Sequence, residues 1–202
     1  RLADPTLPME EAFSQHLKEE ELELPAGQFA LFMNSMYAVD AYVRDYFRKA
    51  ALDALLAEKL PVTVFGEGWE KYSCGDGHSL RREPAVPFAL SFERIAKAHV
   101  LLNVSPIFNR GMHDRVPAGM ANHAVVLTDE NPYLRRTFTG GKELLFYSLE
   151  KPDTLCEQAE RALTDVRLRE KIAASAYETF EREYTWKRRA EQILAFAEEV
   201  EA

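Results

Sequence analysis

Short apolar runs alternate with longer stretches of helical period through most of the chain. Apolar residues are consecutive at 100–102, 124–127 and 144–147, and residues 61–65 read PVTVF. Runs this short and this apolar are typical of strands that are buried on both faces of a parallel sheet. We therefore expect strands near 61–65, 99–104, 124–128 and 144–147, with helices covering both faces of the sheet. The pattern predicts an α/β fold.

The two ends of the chain predict helices. Residues 9–24 are rich in glutamate and predict a short exposed helix, which Pro25 and Gly27 bring to an end. From 28 to 59, apolar residues recur at intervals of three and four, which predicts one long helix or two in series. We expect residues 1–27 to form a lead-in and an exposed helix, and residues 28–202 to form the α/β domain. Helices beginning near 151, 165 and 186 are predicted to complete that domain.

The region just before the strand at 99–104 is less regular. Residues 85–88 predict a short edge strand, because Pro84 and Pro87 exclude a central position in a sheet. Ser91 is a favourable N-cap and is predicted to open a helix that ends near His99. His99 and His123 each directly precede a strand, and we interpret both as structural.

Polar and glycine residues follow the apolar runs, at the strand ends where parallel sheets bind ligands. Asn103 and Ser105 end the run at 100–102, and a glycine-containing loop at 109–114 leads into a short helical segment at 115–122. The run at 124–127 ends in the polar residues 128–131. We therefore expect a ligand site at this edge of the sheet.

The residue types near the loop suit an anion. A diphosphate requires positive charge and N–H donors, and three basic residues flank Gly111: Arg110, His113 and Arg115. Only an arginine can offer a phosphate a planar, bidentate fork. The alternative for Arg115 is a solvated surface arginine. Residues 128–131 either bind sugar or ribose hydroxyl groups or cap the helix that Pro132 opens. Tyr133 either stacks on a base of the ligand or packs against the protein.

A pair of glycines follows the strand predicted at 61–65. Gly66 and Gly68, with Trp69 after them, would allow a backbone to approach a phosphate. Lys71 stands where a dinucleotide fingerprint has its third glycine, so a plain tight turn is an equal alternative. Asp76 and His78 lie in a polar loop without a cluster of further ligands, and we expect no metal site.

Composition narrows the classes of function. The chain has 202 residues, 47% of them hydrophobic, and a net charge of −8, which argues against general nucleic-acid binding and against an anionic membrane surface. No apolar run approaches the roughly 18 residues of a membrane span. The distant cysteines Cys74 and Cys156 fit a reducing, cytoplasmic location. Because the chain begins with Arg1 and has no visible signal peptide, we expect it to be part of a longer protein.

Several of these motifs together resemble a known family. VTVFGEGW, VLLNVSP, GMHDR, GMANHAVVLTDENPYL and LLFYSLEKPDTL are similar to segments of the group 1 glycosyltransferases of GT-B fold, above all the CgeB-like (spore-maturation-protein) branch. The likeness covers about residues 40–195, and its specific part runs from 103 to 133. In that family two Rossmann-like domains face each other across a cleft. The carboxy-terminal domain holds a nucleotide diphosphate-sugar, and the amino-terminal domain holds the acceptor.

The resemblance implies that this chain is the carboxy-terminal, donor-binding half, with a Rossmann-like sheet and an amino-terminal acceptor domain as its partner. Because the sequence has no Asp-x-Asp motif, we expect no metal on the diphosphate and no cofactor besides the sugar nucleotide, and no catalytic residue is assigned here. A donor site is expected at Gly66, Gly68, Trp69, Asn103, Ser105, Arg110, Gly111, His113, Arg115, Thr128, Asp129, Glu130, Asn131 and Tyr133.

One departure from the family pattern concerns two glutamates, eight positions apart, that many members carry. Here Arg110 and Ala118 occupy those positions, so either Asp129 or Glu130 binds the ribose hydroxyls instead, or the sugar is bound in a different way. Three functions stay open on this basis. They are sugar transfer from a nucleotide diphosphate, a non-catalytic binding module that has lost transfer, and an epimerase or phosphorylase on the same fold.

Overall fold

The computed structural model describes residues 2–73, 79–106, 108 and 110–201, and these form an α/β fold. The strands are β1 Val62–Phe65, β2 Leu80–Glu83, β3 Val100–Asn103, β4 Val125–Asp129 and β5 Leu145–Tyr147. The helices are α1 Met9–Glu19, α2 Ala26–Ser35, α3 Tyr37–Ala57, α4 Phe88–Ile95, α5 Arg115–Ala121, α6 Pro132–Thr137, α7 Pro152–Thr164, α8 Val166–Glu183 and α9 Trp186–Glu201.

The principal sheet has the order β3-β4-β5 and is parallel, as predicted. Val100 pairs with Val125, and Leu127 pairs with Leu145. All five residues of β4 are buried, because this strand has a neighbour on each side and helices on each face. The carboxyl ends of the three strands therefore meet at one edge of the sheet.

Alternate residues of β4 serve two different cores. Val125 and Leu127 face a cluster that includes Phe47 of α3, Leu155 of α7 and Ile172 of α8. Val126 faces the opposite cluster, whose other members include Val116 and Met120 of α5, Leu134 of α6 and Ala176 of α8. Because both faces are covered, the strand has no solvent-facing side, and its sequence is a continuous apolar run as far as Leu127.

Helix α5 approaches the sheet unusually closely at Gly119. A Cβ atom at this position would overlap the Cγ2 atom of Val126 and would lie 3.0 Å from the Cδ2 atom of Leu101. The glycine thus allows the helix to rest directly on β3 and β4, and it fixes the height of α5 above the sheet.

The strand predicted at 61–65 pairs with a partner that the sequence did not indicate. β1 and β2 form a separate two-stranded parallel sheet, in which Val62 pairs with Leu80. The edge strand predicted at 85–88 is wrong, since β2 ends at Glu83. The reason is that Pro84 and Pro87 lack the N–H groups that a strand donates, and Pro87 instead precedes the first turn of α4.

The predicted start of α4 is also wrong. The helix begins at Phe88, three residues before the expected N-cap Ser91, and it ends at Ile95 instead of near His99. Ser91 lies inside the helix, where its hydroxyl donates to the carbonyl oxygen of Phe88 at 2.6 Å. His123 adopts a positive φ of 56° and stacks on Tyr177 at 4.2 Å, which fits its structural interpretation.

Helices form near both ends of the chain as predicted, but α1 ends at Glu19 instead of near residue 24, and Gly27 lies inside α2. The stretch 28–59 contains two helices in series, α2 and α3, which meet at Met36. Asp165 caps α8 by accepting a hydrogen bond from the N–H of Leu168 at 2.9 Å.

Within the part of the chain that the structure describes, no helix combines the length and the apolar character that a membrane crossing requires.

Candidate functional site

A buried polar network lies where β3 and β4 end. Asn103 and Thr128 are register partners, and the Nδ2 atom of Asn103 donates to the Oγ1 atom of Thr128 at 3.0 Å. The Oδ1 atom of Asn103 accepts from the hydroxyl of Ser105 at 3.0 Å. The backbone carbonyl of Asn103 accepts from the hydroxyl of Tyr147, at the end of β5, at 3.1 Å. Asn103, only 1% exposed, is therefore the centre of the network.

Arg115 joins this network from the first turn of α5. Its Nη1 atom donates to the Oδ1 atom of Asn103 at 2.9 Å, and the side chain is half-buried. Burial lowers the pKa of Arg115, and the nearby charge of Arg48 lowers it further. Among the ion pairs of the described residues, none involves Arg115. A partly desolvated cation without a directly paired anion is the most distinctive feature of this edge.

Asp129 follows Thr128 at the end of β4 and is 3% exposed. Its Oδ1 atom accepts from the N–H of Ser105 at 2.7 Å. Burial raises the pKa of Asp129 to about 7, although that hydrogen bond and the charge of Arg115 favour the ionised form. The carboxyl group therefore changes protonation near neutral pH.

The loop between β3 and α5 is attached to the sheet by Asn131. The Nδ2 atom of Asn131 donates to the carbonyl oxygens of Phe108 at 2.6 Å and Gly111 at 3.2 Å. Asn109, where the predicted loop begins, lies outside the described residues. Arg110 is largely exposed, and its Nη2 atom lies 2.6 Å from the Oε1 atom of Glu11 in α1.

His113 lies next to Arg115 in the same loop. Its Nδ1 atom accepts from the backbone N–H of Arg115 at 3.2 Å. Burial lowers the pKa of His113, and the charge of Arg115 lowers it further. The neutral ring therefore orients the backbone of the loop and adds no charge at neutral pH.

Several of the predicted donor-binding residues are occupied with structural contacts. Asn131 caps α6, since its Oδ1 atom accepts from the N–H of Leu134 at 2.8 Å, so the capping alternative holds for this residue. Glu130 pairs with Arg135, and Thr128 is fully buried within the network. Tyr133 packs against the cluster around Val116 and Leu134.

Gly66, Gly68 and Trp69 belong to the separate two-stranded sheet. Gly66 and Gly68 have φ angles of 123° and 88°, which only glycine adopts readily, so the turn itself requires both residues. Trp69 packs against the cluster of Leu52, Leu56 and Leu80. The tight turn accounts for these residues, and their contact with a donor stays a prediction.

A cleft of about 120 Å³ opens at the carboxyl ends of β4 and β5. Asp129, Glu130 and Asn131, which the sequence predicted as site residues, line this cleft, but the sequence did not indicate the residues that follow β5 or those of the lead-in. The same strand-end rule, applied to β5, would have indicated 148–150. The cleft is lined by Pro5, Thr6, Pro106, Asp129, Glu130, Asn131, Ser148, Leu149 and Glu150.

Arg48 of α3 is a further residue that sequence reasoning missed. Its positive charge lowers the pKa of both His113 and Arg115. Its position in a helical pattern gave no signal, because only the fold brings α3 beside the loop.

In the described ranges, no group of three or more histidine, cysteine or acidic residues is arranged to hold a metal ion. Cys74, Asp76 and His78 lie outside those ranges.

The glycosyl transferase-like family matches residues 44–195, three-quarters of the chain. The chain belongs to this glycosyl transferase-like family. The matched region includes α3 from Arg44 onward, both sheets and the whole polar network.

A solved structure shows the same fold. The crystal structure of the Anabaena protein Alr3699/HepE, in complex with UDP-glucose, matches 76% of this chain with a TM-score of 0.61 and 11% sequence identity. The match covers 44% of the Anabaena chain, so this glycosyl transferase-like chain spans less than half of that protein's length. No curated protein matches the chain significantly.

Proposed function

We propose that this chain is the donor-binding domain of a glycosyltransferase and that it binds a nucleotide diphosphate-sugar at the carboxyl edge of β3-β4-β5. Membership of the glycosyl transferase-like family supports sugar transfer as the reaction class. The fold shared with a protein crystallised with UDP-glucose supports a sugar nucleotide as the ligand. In this proposal a separate amino-terminal domain supplies the acceptor, the protein acts in the cytoplasm, and the chain belongs to the CgeB-like branch.

The observation that carries the proposal is the half-buried guanidinium of Arg115. One of its N–H groups is committed to Asn103, which holds the side chain in place at the strand ends. Its remaining donors are then pre-oriented for an anion, and Arg48 adds positive charge nearby. A diphosphate would supply the negative charge that this desolvated cation lacks.

Polar groups beside Arg115 suit the rest of such a ligand. Asp129 lines the cleft and can accept or donate a hydrogen bond to a hydroxyl group, depending on its protonation. Ser148 and the backbone after β5 form the opposite wall. The proposal assigns no divalent metal to the diphosphate, since the sequence has no Asp-x-Asp motif and arginines supply the charge.

The test is calorimetric titration of the chain with UDP, which serves as the probe. Arg115→Ala should weaken binding about tenfold or more, because each hydrogen bond to a charged group contributes roughly 1.5–3 kcal/mol. Arg115→Lys should recover only part of the loss, and Arg110→Ala should have a smaller effect, since Arg110 is at the exposed rim. Repeating the titration with EDTA should leave the affinity unchanged.

Melting curves of the same variants distinguish binding from structural support. If Arg115→Ala keeps its affinity for UDP but melts at a lower temperature, Arg115 only supports Asn103 and the proposal is wrong. Affinity that disappears with EDTA and returns with magnesium would contradict the metal-free part alone.

A second candidate function is a binding module without transfer. The observation in its favour is that Arg110 and Ala118 occupy the two positions where many relatives of the resembled family have glutamate. Incubating the full-length protein with UDP-glucose and assaying release of UDP, with and without added acceptors, separates the two. Binding without any release of UDP would favour the module.

A further inference from the structure

The N-terminal lead-in occupies the edge of the sheet where the donor is proposed to bind. Pro5 is buried, and Pro5 and Thr6 line the same cleft as Asp129 and Ser148. The turn that places Pro5 there is fixed by Asp4, whose Oδ1 atom accepts from the N–H of Thr6 at 2.9 Å and from its hydroxyl at 2.7 Å. We call residues 4–11 the strap.

The strap also contacts a candidate ligand-binding arginine. Glu11 extends from the first turn of α1 to Arg110, with 2.6 Å between the carboxylate and guanidinium atoms. Residues 4–11 contain three acidic side chains and no basic one. A carboxylate on this guanidinium takes the place that a phosphate oxygen of a ligand would take.

With the strap in place, the cleft is too small for the proposed donor. Its volume is about 120 Å³, whereas pockets that hold small-molecule ligands and cofactors have volumes of roughly 300–1,000 Å³. A nucleotide diphosphate-sugar can therefore enter only if Pro5 and Thr6 leave. The strap and the ligand would then exclude each other.

The ion pair between the strap and Arg110 is weak enough to be displaced. The Glu11–Arg110 pair is exposed on both sides, with 45% and 82% of the two side chains accessible, and exposed pairs contribute little. Beyond the strap, Phe13 packs on Phe29 and Phe32 of α2, with ring centroids 5.4 and 6.0 Å apart. The strap, which includes the first turn of α1, can therefore swing away while the remainder of α1 stays attached to α2.

We propose that residues 4–11 are an autoinhibitory strap, which fills the donor cleft and competes with a nucleoside diphosphate for Arg110. This inference rests on the proposed function, because it names the regulation of the same site. Displacement of the strap, by ligand or by a partner that binds the acidic lead-in, would open the cleft.

The experiment titrates UDP into the full chain and compares paired variants. Glu11→Gln removes the charge that engages Arg110, and its matched control is Glu10→Gln, the adjacent exposed glutamate. Pro5→Asp puts a carboxylate beside Asp129 and Glu150 and should expel the strap, and its control Ala3→Asp adds the same charge at an exposed position. We expect roughly two- to fivefold tighter binding by Glu11→Gln and Pro5→Asp, the range that an exposed ion pair supports, and no change in the controls.

Two further measurements identify the mechanism. In an Arg110→Ala background, Glu11→Gln should no longer change the affinity for UDP, because the pair is already absent. Hydrogen exchange at the amides of 6–12 should rise in the wild-type chain when UDP is added. If UDP binds equally well to the wild type and to both strap variants, the strap is not inhibitory, while the donor site stands. If no variant binds UDP at all, the proposed function fails as well.

Discussion

The carboxyl group of Asp129 makes the unfolding free energy of the chain depend on pH. Its pKa of about 7 lies well above the ordinary value of an aspartate, so the folded chain keeps this proton at a pH where the unfolded chain has lost it. The unfolding free energy should therefore fall as pH rises from about 4 to about 7, and it should stay low above that range.

Asp129→Asn should remove this pH dependence, because an amide does not titrate. The hydrogen bond is kept, since the amide oxygen can still accept from the N–H of Ser105. Relative to the wild type, the variant should gain about 2 kcal/mol of unfolding free energy between pH 5 and pH 8. Urea titrations at both pH values measure the change, with Asp45→Asn, an exposed aspartate in α3, as the control. A difference between variant and wild type that stays constant from pH 5 to pH 8 would contradict the buried, protonated carboxyl.

Among single residues, the rule that ligand sites lie at the carboxyl ends of parallel strands predicted part of the polar network. Asn103, Ser105 and Asp129 converge because the carboxyl ends of neighbouring parallel strands lie side by side. The rule could not show which polar side chains remain free. Whether Glu130 pairs with Arg135, or Asn131 caps α6, depends on how two elements meet in space, and neighbouring positions in the sequence do not record that.

Among the elements, α5 depends most directly on one close contact. Gly119→Ala should destabilise the fold by about 1–2 kcal/mol, because overlap of the new Cβ atom with Val126 outweighs the gain in helix propensity. Gly27→Ala in α2 is the matched control, since a Cβ there meets nothing within 4 Å. It should stabilise the protein slightly, and urea titration measures both. A stabilising Gly119→Ala would show that α5 can move away from the sheet.

The strand predictions succeeded at the apolar runs around β3, β4 and β5, failed at the proline-containing stretch 85–88, and missed the polar strand β2. β3, β4 and β5 are runs of apolar residues, and their pattern indicates strands directly. β2 reads Leu-Arg-Arg-Glu, and only Leu80 of its residues is buried. It is a strand because β1 lies beside it, which is a long-range cause that a local pattern cannot contain.

For the whole molecule, the fold class followed from the alternation of strands and helices, but the placement of the lead-in did not. The strap reaches the cleft by folding back across a long stretch of sequence, since the contacting residues Glu11 and Arg110 are 99 positions apart. The split into two sheets was missed for a similar reason, because the chain between β1 and β2 carries no helical pattern that would mark a crossover.

The polar network also determines which residues of the sheet pair with each other. β4 is apolar on both faces, so a slip of one residue would exchange Val126 with Val125 and Leu127 and would still bury apolar side chains. Hydrophobicity alone therefore specifies the register weakly. The hydrogen bonds from Asn103 to Thr128 and from Ser105 to Asp129 form only in the native pairing.

Replacing both members of one pair, in the variant Asn103→Leu with Thr128→Val, should keep the helical circular dichroism but broaden the urea transition, because competing registers become populated. Val62→Ala, in the separate sheet, should lower the midpoint of the transition without broadening it. A sharp transition in the double variant would show that packing alone sets the pairing. If the transition broadens instead, Asn103 and Thr128, which are also proposed to bind the donor, serve a second purpose: they select one alignment of the strands from several that the core would accept.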